Sequence, residues 1–80
     1  MDDLEVKIRK ERLRDAAWSA AKVLHALDVN GKLEQVYPEF FIRDAINKNL
    51  KAHATEVEVA KVTELVSDYL AEWRPPAPGA

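Results

Sequence analysis

Apolar residues recur at helical spacing in three stretches of the chain, separated by turn-forming residues. In residues 2–28, Val6, Leu13, Ala17, Ala20, Leu24 and Leu27 are three, four or seven positions apart and so share one face of a helix. Glycine and proline are absent from this stretch, and Ala, Leu, Lys, Arg and Glu, all strong helix formers, dominate it. Asp2 and Asp3 stand where a helix N-terminus favours negative charge. Asn30–Gly31 supplies the positive-φ residues that end a helix. The same pair can make a hairpin turn, but nothing before it alternates with a period of two.

Residues 32–37 fit two patterns. Leu33, Val36 and Tyr37 suit a helical turn, whereas Leu33, Gln35 and Tyr37 suit a short extended piece. Pro38 is placed for the first position of a second helix, where its missing N–H costs nothing. That helix is expected to run to about residue 52, with Ile42, Ala45, Ile46, Asn49, Leu50 and His53 on its inner face. Asn49 and His53 are polar for that face. Either the helix leaves the core there, or backbone groups satisfy them, or they fix a register or a dimer.

Thr55 and Glu58 form T-x-x-E, a capping box that opens a third helix over 55–73. Val59, Val62, Val66, Tyr69 and Trp73 follow at spacings of three and four, with Lys61, Glu64, Asp68 and Glu72 opposite. The Pro-rich residues 75–80 cannot continue a helix and read as a disordered or polyproline tail. The pattern therefore predicts an all-α fold. A single domain over 1–74 has one long N-terminal helix and two shorter helices packed back on it.

Composition narrows the function more than it names one. Eighty residues make one domain, and twelve alanines among the 48% hydrophobic residues leave few large side chains for a core. With no cysteine, neither disulfides nor thiolate metal sites can staple the chain. The net charge of −2 gives no overall basic excess of the kind a nucleic-acid binder shows. No apolar run approaches the ~20 residues of a membrane span. The acidic, highly charged N-terminus does not read as a signal peptide, so a cytoplasmic location is expected.

Catalysis finds no support in the residues. There is no glycine-rich phosphate loop and no nucleophile–base set, so no enzyme, cofactor or small-molecule substrate is expected. His25 and His53 lie on different helices without further converging ligands, and a metal site is not expected. Asp28-Val29-Asn30-Gly31 opens like a calcium loop but lacks the later ligands and closing glutamate.

Interaction residues are the better candidates. Ala16, Ala17, Ala20 and Ala21 allow close approach of another helix, from this chain or from a second copy. A first helix of about 40 Å at 1.5 Å per residue outreaches the third helix, so its excess is solvated, covered by the second helix as well, or paired with another protomer. Trp18 falls on the side away from Leu13, Ala20 and Leu27, among Glu11, Arg14, Lys22 and His25. Either the helix is buried on two sides, or Trp18 anchors a partner, as aromatics do at hot spots. Phe40 points with Asp44, Asn47 and Lys51, either packing on 33–37 or adding to exposed apolar surface. Trp18, Ala17, Ala21, His25 and Phe40 are thus the expected interaction residues. The expected function is a non-enzymatic regulator or adaptor that binds another protein, foremost a second copy of itself.

The alternative is a small DNA-binding regulator. Arg43, Asn47, Lys48 and Lys51 lie on the outer arc of helix 38–52, where arginine and asparagine can read base edges. Lys7, Lys10 and Arg14 share one side of the first helix and could follow phosphates. Against this, Glu11 interrupts the basic run, which also fits a solvated face with i,i+4 pairs such as Lys7–Glu11. Helices 38–52 and 55–73 have the outline of a helix-turn-helix. The turn lacks glycine, however, and the helix after it is the acidic one.

Overall fold

The computed structural model describes residues 3–73. It is all-α: α1 spans Asp3–Val29, a 3-10 turn Leu33–Gln35, α2 Pro38–Leu50 and α3 Glu56–Trp73. No strand occurs among the described residues. The Pro-rich tail, residues 75–80, and Asp2 lie outside them.

Local signals explain most of the boundaries. At the end of α1, Gly31 takes φ +71. Its N–H donates to the Asp28 carbonyl (3.0 Å), and that of Lys32 donates to the Leu27 carbonyl (2.8 Å). These two bonds are those of a Schellman motif, which satisfies carbonyls that a helix end leaves open. The Asn30 side chain adds a bond to the Ala26 carbonyl at 2.7 Å. Residues 32–37 resolve into the 3-10 turn followed by extended backbone at Val36 and Tyr37, and Pro38 then opens α2.

α2 ends at Leu50, two residues short of the expectation. Lys51 turns left-handed (φ 55), and its N–H closes on the Asn47 carbonyl. His53 consequently lies beyond the helix and is exposed. Asn49 is half-buried and donates to the Ala45 carbonyl one turn back (2.8 Å), so it is satisfied by backbone.

The topology follows from two contacts. Arg9, early in α1, meets Glu58 in the first turn of α3. Trp18, further along α1, meets Tyr69 and Trp73 near the end of α3. Hence α3 runs parallel to α1, and α2 runs back between them in sequence, antiparallel to both. α2 and α3 each pack chiefly along α1 and touch each other less.

Ala16, Ala17, Ala20, Ala21 and Leu24 of α1 form one side of the core. Ile42, Ala45, Ile46 and Leu50 of α2 and Val59, Val62 and Val66 of α3 complete it. The buried arc of α1 is broad, and small side chains let two helices approach it at once. Ala17 and Ala21, expected at a contact with a second chain, are instead 0% exposed within this one. Of the two readings of the alanine seam, packing within the chain is the one that uses these residues here.

Candidate functional site

Three surface features carry the chemistry that the sequence singled out. The first is an aromatic cluster on the flank where α1 meets α3. Trp18, Lys22 and His25 lie at i, i+4 and i+7 of α1, and Tyr69 and Trp73 at i and i+4 of α3, so each set shares a face. Trp18 stands edge-on to Tyr69 (5.6 Å between ring centroids) and to Trp73 (5.1 Å). Tyr69 and Trp73 stack on each other, and His25 meets Trp73 edge-on at 5.6 Å. Lys22 Nζ lies 5.9 Å from the centre of the Trp18 ring, within cation–π range. Trp18 keeps 46% of its surface exposed, so one side of it packs and the other faces solvent. α1 is thus buried on two sides, which is why an aromatic stands among charged neighbours in sequence. The Nδ1 atom of His25 is buried without a hydrogen-bond partner.

The second feature is the outer face of α2. Arg43 donates to Glu39 (3.0 Å) and to Glu56 of α3 (3.2 Å). Lys48 pairs with Asp44 at 2.9 Å. Two of the expected DNA-contacting cations therefore already face three carboxylates, while Asn47 and Lys51 are exposed. Near the start of the same helix, Phe40 is 67% exposed and edge-on to Phe41, and Tyr37 is exposed beside it.

The third feature is the N-terminal half of α1. Its first turns carry exposed Leu4, Val6 and Ile8. Between them and the start of α3 runs a groove of about 960 Å³, whose apolar wall includes Ile8, Leu13, Leu50, Val62 and Leu65. Lys10, Arg12, Arg14 and Lys61 rim it, against Glu5 as the one acid outside the Arg9–Glu58 pair. Lys7, Lys10 and Arg14 are exposed, as expected, but the Lys7–Glu11 pair is not formed.

Arg9 is part of the lining of that groove. Its guanidinium grips both oxygens of Glu58, with Nη2 at 2.7 Å from Oε1, and also donates to the His53 carbonyl at 2.8 Å. Glu58 in turn accepts the Thr55 N–H (2.9 Å), while Thr55 Oγ1 accepts the Glu58 N–H (3.1 Å). The capping box is thus complete and tied to α1. Arg9 was not singled out in the sequence, because its partner is 49 positions away.

The Arg9 hydrogen bonds, with help from the Thr55 N–H, hold the Glu58 carboxyl down at about 2. A carboxyl depressed when folded stabilises the fold above its unfolded value near 4.5, and that contribution is lost as pH falls through the folded value. Arg9 is partly exposed, so water screens part of this stabilisation. Glu58→Gln is expected to cost about 1–2 kcal/mol at pH 7. Urea titrations should show the gap to the native chain closing between pH 5 and pH 2. A gap independent of pH would assign the loss to the cap alone.

No family model, no curated protein and no solved structure matches this chain. Among the described residues, no helix is long and apolar enough to cross a membrane.

Proposed function

We propose that the chain is a small helical protein-interaction module, a cytoplasmic regulator or adaptor that works without catalysis and associates with itself. The observation that carries this reading is the N-terminal half of α1. α1 has 27 residues against 13 in α2 and 18 in α3. Its extra turns expose Leu4, Val6 and Ile8 beside an apolar groove with a basic rim. Exposed aliphatic side chains next to an open groove favour a helix-in-groove contact. The DNA reading gains no such support, because Arg43 and Lys48 are already opposed by carboxylates.

Sedimentation velocity from low to high micromolar concentration tests self-association. The expected result is a concentration-dependent rise in mass for the native chain, lost in Ile8→Asp with helical content retained. A strict monomer throughout would sink the reading. Binding to duplex DNA that weakens steeply with salt would favour the alternative instead.

A further inference from the structure

We infer that the partner of the α1 overhang is the same overhang of a second copy, lying antiparallel across it about a two-fold axis near Ile8. The inference rests on the self-association reading and specifies its geometry.

Glu5, Ile8 and Arg12 are three and four positions apart, so they share one side of α1. All three line the groove and are exposed. Among the described residues, neither Glu5 nor Arg12 has an ion-pair partner. The charge along this side is antisymmetric about its apolar centre, acidic one turn before Ile8 and basic one turn after it.

A parallel copy would set like charge against like. An antiparallel copy sets Ile8 against Ile8 and places Glu5 of each chain opposite Arg12 of the other, twice over. A self-complementary patch of this kind is what a closed two-fold dimer needs. Leu4, one turn from Ile8 and 61% exposed, then lies over the aliphatic stem of the partner's Arg12. Leu65 and Lys61 of α3 form the opposite wall of the groove, and the incoming helix seats between them and Ile8. The overhang of each copy completes the groove of the other, so the contact closes at two chains. A contact limited to a few turns belongs at the small end of interface sizes, with affinity on the order of micromolar.

Charge reversal distinguishes this geometry from any other dimer. Glu5→Arg and Arg12→Glu should each weaken dimerisation about tenfold or more, since every reversal acts twice and replaces attraction by repulsion. An equimolar mixture of the two variants should form heterodimers at near-native affinity, and the double variant should recover the homodimer. Sedimentation equilibrium reads all four samples, and circular dichroism checks that each keeps its helices. A native dimer that tolerates both single reversals, or that neither mixing nor the double variant restores, overturns the antiparallel pairing while leaving self-association intact. A native chain that stays monomeric at high micromolar overturns both.

Discussion

Ala21→Leu is expected to destabilise the isolated chain by about 2–3 kcal/mol, the range for forcing extra methylenes into a packed core. Ala21 is fully covered, as are Ala16 and Ala17, and Ala20 is nearly so. These four residues are where two helices converge on α1, so an isobutyl group has no free volume to enter. It must push α2 or α3 away from the seam. Helix propensity cannot mask the effect, because leucine is almost as good a helix former as alanine. Single cores of this size rarely supply more than about 3–5 kcal/mol, so the variant should be largely unfolded at modest urea. Ala26→Leu is the control, since Ala26 is exposed on the same helix and should change stability little. Urea denaturation at low protein concentration separates the two uses of the alanines. If Ala21→Leu leaves the monomer intact and changes only its association, the seam is an interface after all.

The contrast between seam and overhang shows what periodicity conveys. The spacing of Ala17, Ala20 and Leu24 identifies a buried face, but an alanine reports only that its neighbour is close. It does not say which chain the neighbour belongs to. The helix limits were legible where the chemistry is local: Asn30–Gly31, Pro38 and the Thr55–Glu58 box each satisfy backbone groups within a few residues. The end of α2 was not legible, because Lys51 takes a left-handed conformation that lysine does not advertise. The third helix was placed within one residue, yet its tie to Arg9 was invisible. Sequence spacing offers Arg9 only neighbours on its own helix, and the carboxylate that it binds is brought over by the fold. The same limit applied to Arg43, whose basic appearance in sequence is offset by Glu39 one turn away and by Glu56 on another helix.

Trp18→Ala should cost about 2–3 kcal/mol, somewhat below a fully buried tryptophan because nearly half of the side chain is in water. The loss has two sources. Trp18 forms edge-on contacts with both Tyr69 and Trp73, and its removal strips one side from the stacked pair. These contacts pin the C-terminal end of α3 to α1, at the opposite end from the Arg9–Glu58 grip. Without them the end of α3 keeps only the His25–Trp73 ring contact to α1, beside the Arg9–Glu58 grip and the packing along the valine seam. Hydrogen exchange should therefore show the last turns of α3 opening first in the variant, with the first turn still protected. Trp18→Phe should recover part of the stability, because one ring can still stand edge-on to its partners. The same variant tests how the two surfaces divide the work. Trp18 is on the flank that meets the end of α3, whereas Glu5, Ile8 and Arg12 line the groove about two to four turns earlier. Any Trp18→Ala chain that remains folded at low temperature should dimerise as the native chain does. If it is instead fully stable and monomeric, the exposed half of Trp18 is the anchor and the aromatic cluster merely supports it.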